Sequence, residues 1–331
     1  MGAEAFETFA QSLEQRRRFR EADVVRRCAE SPLATLLVPA NPSWDDPHRL
    51  MSAVQLLILR GVVPDYRDQP DSWEAFQATL EVHRDWIRDF VAHHNIQTNE
   101  PQRCFALLPI FLTVARLSGR PLDLLELGTS GGLNLLWDQY QYRYRDGIWG
   151  IWGSGLELNG DEADDGRVPA DLLQQQVEVR IRRGIDLNPI DVCSEEGLRL
   201  LESFVLGDPA RTVRLHHAAA VVRRHPPELF RGDYLEMLPE FLTNRDGDAL
   251  TVVFQTASTI YLPLDLRQRL NNIIEKAGRQ RRFAWITTPT PEEHGQRLGD
   301  YPLELTMWPA GEKRVVARMS NSGDWLRWIG S

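Results

Sequence analysis

The run Leu122-Asp123-Leu124-Leu125-Glu126-Leu127 leads directly into Gly128-Thr129-Ser130-Gly131-Gly132, and Leu133 to Tyr140 follows with helical character. A short apolar run bounded by glycines reads as a buried strand. A glycine-rich turn between strand and helix permits tight bending and brings bare backbone N–H groups close to a ligand. This unit constrains the fold more than any other feature, because it predicts the first strand of an open α/β sheet. Further short apolar runs follow at Val177–Ile185, Leu229–Gly232, Leu250–Phe254 and Phe283–Ile286, with helical stretches between them at Ser194–Phe204, Thr212–Arg223 and Leu264–Ala277. Strands alternating with helices predict a mostly parallel, Rossmann-like sheet covered on both faces. Leu303–Trp308 and Arg314–Met319, joined through Pro309-Ala310-Gly311-Glu312, predict a C-terminal antiparallel hairpin.

Residues 1–118 read as a helical domain and 119–331 as the α/β domain. Asp71 or Ser72 caps a helix whose apolar face holds Trp73, Phe76, Leu80, Trp86, Ile87 and Phe90. Thr98 or Asn99 caps a later helix with Pro101 in its first turn. That helix is apolar almost all round from Cys104 to Leu117, so it is buried, and Gly119 ends it. Residues 141–176 break the rhythm with Tyr142, Tyr144, Trp149, Trp152, glycines and the acidic run Asp161-Glu162-Ala163-Asp164-Asp165. They read as an inserted hairpin or loop, a lid in character.

The net charge of −9 supplies no general basic face for phosphates, so a nucleic-acid partner is not expected. No apolar stretch approaches the ~18 residues of a membrane span. The first twenty residues hold no hydrophobic signal core, and the three cysteines lack Cys-x-x-Cys spacing. Together these predict a cytoplasmic protein without a cysteine-based zinc site. The adjacent pairs His93-His94 and His216-His217 point apart on a regular element, and no other metal-ligand spacing is present.

The loop lacks the Gly-Lys-Ser/Thr of a phosphate loop and is a poor dinucleotide fingerprint. Glu126 at the strand end would repel a pyrophosphate but suits the ammonium of a methionine-type cofactor. The loop residues Gly128, Thr129, Ser130 and Gly132 are then cofactor-binding candidates. In Gly184-Ile185-Asp186-Leu187-Asn188-Pro189, Asp186 ends a second strand, where a carboxylate accepts hydrogen bonds from ribose hydroxyls. Its other reading is a cap or turn residue. It lies 60 residues after Glu126, and setting aside the 36 of the insertion leaves 24, close to the ~20 of such sites. Asp233, after the strand ending Phe230-Arg231-Gly232, and Gln255, after Val252-Val253-Phe254, complete a row at one sheet edge.

Long runs in this chain resemble a bacterial family, domain of unknown function 2332: Thr98-Asn99-Glu100 with Arg103, the segment Leu125–Leu136 with Tyr140 and Tyr142, and Arg183–Asp191. The pattern is similar to class I methyltransferases, although Ser130 stands where those usually have glycine. The resemblance implies S-adenosylmethionine as cofactor, with Glu126 and the loop at its methionine end, Asp186 and Leu187 at the ribose, Asp233 at the adenine and Gln255 at the strand edge. Asn99, Glu100, Arg103, Asn134 and Tyr261 are candidates for the pocket of a small-molecule acceptor. Arg103 either binds the cofactor's carboxylate or pairs with Glu100. Trp137, Tyr142 and Tyr144 would shape the same pocket. Two other classes stay open. One is a non-catalytic nucleotide-binding or protein-interaction module. The other is a serine hydrolase centred on Ser130 with His294, whose loop resembles a nucleophile elbow only superficially.

Overall fold

The computed structural model describes residues 2–243, 247–289 and 299–330. The chain forms two compact units. The first comprises residues 1–98 and 194–212, and the second residues 99–193 and 213–331.

The first unit contains α1 (Gly2–Gln15), α2 (Phe19–Glu30), α3 (Pro32–Leu36), α4 (Asp46–Leu59), α5 (Ser72–Val82) and α6 (Arg84–His93). Asp71 caps α5 by accepting from the Trp73 and Glu74 amides, as its sequence context predicts. Further along the chain lie α7 (Cys104–Ser118), α8 (Glu195–Ser203), α9 (Pro209–Arg224), α10 (Tyr234–Thr243) and α11 (Leu264–Gln280). Helix α8 packs on α4 and so belongs with the first unit. Helix α7 belongs with the sheet. This differs from a division at residue 118, and the reason is burial: Cys104 to Ala115 are all buried, which a helix at a domain's edge would not be.

In the second unit the strands are β1 (Leu122–Leu127), β2 (Gln141–Tyr144), β3 (Gly147–Gly150), β4 (Glu157–Asn159), β5 (Asp161–Glu162), β6 (Val179–Asp186), β7 (Glu228–Arg231), β8 (Leu250–Phe254), β9 (Phe283–Thr287), β10 (Tyr301–Met307), β11 (Glu312–Met319) and β12 (Trp325–Trp328). The main sheet has the order β5-β12-β11-β10-β9-β8-β1-β6-β7. Strands β7, β6, β1, β8 and β9 are mutually parallel, while β10, β11 and β12 pair antiparallel. The fold is therefore α/β, with a mostly parallel centre and an antiparallel C-terminal end that includes the expected hairpin. In order of occurrence the parallel strands run 3-2-1-4-5, and the order reverses between β1 and β8. At such a reversal a crevice opens beyond the carboxyl ends of the strands.

Alternation along the strands sorts the two faces. Leu125, Leu127, Ile185, Val253, Phe283 and Trp285 pack with Leu235 and Leu238 of α10 and Leu270 and Ile274 of α11. On the other face Phe254 meets Phe111 of α7 edge-on, with ring centroids 5.3 Å apart.

The 141–176 segment contains the expected hairpin, β2 with β3, but its tyrosines are packed into the fold rather than set in a lid. Strands β2, β3 and β4 form a small sheet, and β5 adds to the main sheet beside β12. Its tyrosines are core, while Trp152 is exposed: Tyr142 stacks on Tyr144, Tyr144 stacks on Phe105, and the Tyr144 hydroxyl donates to the Phe105 carbonyl. Trp137 lies flat on Phe111 at 4.5 Å. These rings are buried in the fold, so Trp137, Tyr142 and Tyr144 do not line an open pocket. Trp137→Ala should accordingly cost about 3–5 kcal/mol of stability in urea unfolding, as for a large buried aromatic. A lid residue would cost under ~0.5 kcal/mol.

Candidate functional site

Three of the predicted polar groups converge where β1 turns into its loop. Alternation aims Glu126 at the α7 face, and burial leaves its side chain nearly inaccessible. Its carboxyl accepts from the Thr129 hydroxyl at 2.8 Å and from the Asn134 amide at 3.3 Å. Asn134 Oδ1 in turn accepts from the Cys104 thiol. Directly across the ladder from Glu126 stands Gly184. A Cβ there would lie 2.4 Å from the Thr129 side chain, so the glycine creates the space that lets Thr129 reach Glu126. Burial, with the Asp186 carboxylate adding repulsion, pushes the Glu126 pKa up to about 8.

The loop itself is left-handed at Gly128 (φ 71°), Ser130 (φ 52°) and Gly132 (φ 74°). Asp186 holds it. One oxygen accepts from the Ser130 amide and the other from the Asn188 amide, each at 2.8 Å. The Asp186 carbonyl accepts from the Gly232 amide, which ties in the end of β7. Gly128 and Ile185 are joined by a further backbone bond of 2.8 Å. The two readings of Asp186, turn residue and ligand acceptor, therefore coexist. Each oxygen accepts one hydrogen bond and keeps a second lone pair.

The other candidates have definite tasks. Asn99 accepts from the Leu133 amide through Oδ1 at 3.0 Å and so caps the segment after the loop. That segment, Leu133–Gln139, is a 3-10 helix rather than the expected α-helix, and the chain leaves it directly for β2. Glu100, not Thr98 or Asn99, caps the turn at Pro101–Arg103. It forms an ion pair with Arg214 of α9, at 3.2 Å, across the fold rather than along the chain. Sequence reasoning missed Arg214, since 114 residues separate the two. Arg103 donates to the Thr256 carbonyl at 3.3 Å, beyond the carboxyl end of β8, and to the Asn321 carbonyl at 2.9 Å. Asp233 caps α10 by accepting from the Leu235 amide. Leu187 and Tyr261 are exposed at the same edge.

Gln255 is fully buried. Its two N–H donors are shared among Thr287 Oγ1 (2.6 Å), the Thr288 carbonyl (2.9 Å) and Thr259 Oγ1 (3.2 Å), and its carbonyl oxygen accepts from the Ser258 amide (2.9 Å). It thereby fixes the turn after β8 against the end of β9. Ser258 then packs on the loop, so a Cβ at Gly128 would meet Ser258 Cβ at 2.4 Å. A Cβ at Gly132 would meet Pro227 at 2.9 Å. The glycines of the loop thus accommodate the protein's own atoms.

Letter for letter, residues 128–132 satisfy Gly-x-Ser-x-Gly, so the likeness to a nucleophile elbow is closer than superficial. The Ser130 hydroxyl is buried and has no hydrogen-bond partner among the described residues. His294 lies outside them. Beside the loop, the buried Tyr234 hydroxyl neighbours Ser258, Asp233 and Asp186, and burial pushes its pKa up to about 12.

The chain belongs to the bacterial family described as "Uncharacterized protein conserved in bacteria (DUF2332)", which matches residues 3–328. No curated protein and no solved structure matches it. Among the described residues no helix is long and apolar enough to cross a membrane.

A carboxyl whose folded pKa is raised binds a proton that the unfolded chain releases near pH 4.5. Its contribution to stability is complete below that pH and is lost as pH rises through about 8. Glu126→Gln should therefore gain on the parent protein between pH 5 and 9 by about 3–5 kcal/mol. Urea unfolding at the two pH values reads this directly, and an unchanged difference would refute a neutral Glu126.

Proposed function

We propose that the carboxyl edge of the parallel sheet binds S-adenosylmethionine and that the protein is a methyltransferase acting on a small-molecule acceptor. The observation that carries this reading is Asp186. It sits at the end of the strand next to β1, beside the reversal of strand order, with both oxygens fixed by backbone amides and one lone pair left on each. Ribose hydroxyls are the donors that suit such a carboxylate. Glu126, one strand away, suits the ligand's positive end, because a nearby cation favours the ionised form that burial disfavours. The fit lies with these acids and with the Ser130 hydroxyl, since the loop glycines already face protein atoms.

When bound, S-adenosylmethionine supplies a methyl group activated by its sulfonium. The protein's own contribution is placement: Asp186 and Asp233 fix the adenosine, Arg103 offers a guanidinium to the carboxylate, and the exposed Tyr261 and Leu187 flank the opening. Transfer of this kind gains chiefly from alignment and exclusion of water. No dedicated base is required.

A second reading rests on one observation, the unpartnered Ser130 hydroxyl at positive φ. Serines on such a strained strand-to-helix turn are nucleophiles in hydrolases, although there the hydroxyl is exposed and here it is buried. Calorimetry with S-adenosylhomocysteine and labelling with a fluorophosphonate separate the two. Methyltransferase function predicts saturable binding, lost at least tenfold in Asp186→Asn that remains folded by circular dichroism and retained in Ser130→Ala. Its affinity should rise with pH and level off near the Glu126 value of about 8, because the cationic ligand draws the proton from that carboxyl. Labelling of Ser130 without binding would transfer the site to hydrolysis. Neither response would leave an interaction module.

A further inference from the structure

The second unit holds a polar cleft of about 410 Å³ away from the loop, lined by Gln102, Asn159, Asp161, Arg214 and Asp324, with Glu157 and Gly160 at its wall. Four distant stretches of chain meet there, and close backbone approach holds them together. A Cβ at Gly160 would lie 2.7 Å from the Asp324 carbonyl, and one at Gly323 would lie 2.5 Å from the Gln102 carbonyl. The Asp161 amide donates to the Asp324 carbonyl at 2.9 Å. Gln102, almost wholly buried, donates to the Asn159 and Gly323 carbonyls at 2.7 and 3.3 Å. The floor of the cleft is thus a fixed hydrogen-bonded junction.

Arg214, paired with Glu100 behind it, and the carboxylates Asp161 and Asp324 all face this floor. Glu100, 2 % exposed, takes the Nε of Arg214 at 3.2 Å and so sets the plane of its guanidinium. The Nε bond leaves the two terminal nitrogens as a parallel pair of donors, the arrangement that binds a carboxylate through two hydrogen bonds. Asp161 and Asp324 form no ion pair among the described residues, whereas Glu157 is engaged by Arg143. A ligand that satisfied both sides would carry both an anionic fork and a cation.

We propose that this cleft is a binding site for an α-amino-acid-type zwitterion, its carboxylate on Arg214 and its ammonium between Asp161 and Asp324. The Glu100–Arg214 pair is the preformed part. A guanidinium already oriented by a buried carboxylate loses little freedom when the ligand arrives. The carboxylates supply discrimination against simple anions, which they repel. The site stands on its own observations and does not depend on the reading of the loop as a cofactor site.

The test is calorimetry on the full-length protein with the twenty standard L-amino acids, followed by the α-amide and the N-acetyl derivative of any that binds. At least one free amino acid should bind saturably, and blocking either end should weaken it tenfold or more. Asp161→Asn with Asp324→Asn changes exposed groups and leaves an amide oxygen to accept from the Ser322 hydroxyl as Asp324 does, so the double variant should fold as the parent does and lose at least tenfold in affinity. Arg214→Gln should lose binding as well, with circular dichroism checking that Glu100 is tolerated. Absence of saturable binding by every amino acid would overturn the proposal. So would binding that survives the double variant, or an amide that binds as well as the free acid.

Discussion

A single carboxylate organises the sheet edge on which the functional reading rests. The left-handed turn after β1 points its amides inward, and a buried N–H without an acceptor costs about as much as a lost hydrogen bond. Asp186 accepts from the Ser130 amide, from the Asn188 amide two residues on, and through its own carbonyl from Gly232. The ends of β1, β6 and β7 are therefore joined through one residue. Hydrogen bonds to an ionised acceptor are roughly twice as strong as neutral ones. The edge is consequently rigid before any ligand meets it, which lowers the entropic cost of binding.

Beneath that edge the chemistry is of the opposite kind. Glu126 lies behind the loop, with Thr129, Asn134 and Cys104 in sequence around it. An isolated carboxylate in such a place is costly, so the group takes up a proton instead. Two acids on adjacent strands thus have separate characters. Asp186 is engaged by two backbone amides, and Glu126 is held near neutrality by burial and by its neighbour's charge. A cationic ligand would couple to the second and a hydroxylated one to the first. The aromatic block of Trp137, Phe111, Phe105, Tyr142 and Tyr144 closes the α7 face and keeps water from Glu126.

Much of the architecture was legible because its signals are local. Leu122–Leu127 and Leu250–Phe254 are short, largely apolar runs, and both are strands with those bounds. Gly119 marks the end of α7 by adopting the left-handed conformation that only glycine takes without strain. What escaped depends on contacts between distant segments. The tyrosines of 141–176 look like a loop's aromatics until β5 is seen paired with β12, whose residues lie 164 positions further along the chain. The Glu100–Arg214 pair has no spacing rule to reveal it, and Glu100–Arg103 is the partner that proximity in sequence suggests. Gln255 was legible as a polar strand end, but its partners are Ser258 and Thr259 in the turn after β8 and Thr287 and Thr288 at the end of β9.

The most direct measurement is an amide-resolved NMR titration of the labelled protein with S-adenosylhomocysteine. The account predicts saturable shifts at Ser130 and Asn188, the two amides that share Asp186, together with Gly232, while the amide of Asp161 in the polar cleft stays unmoved. Shifts that bypass Ser130 and Asn188, or no shift at saturating ligand, would contradict it.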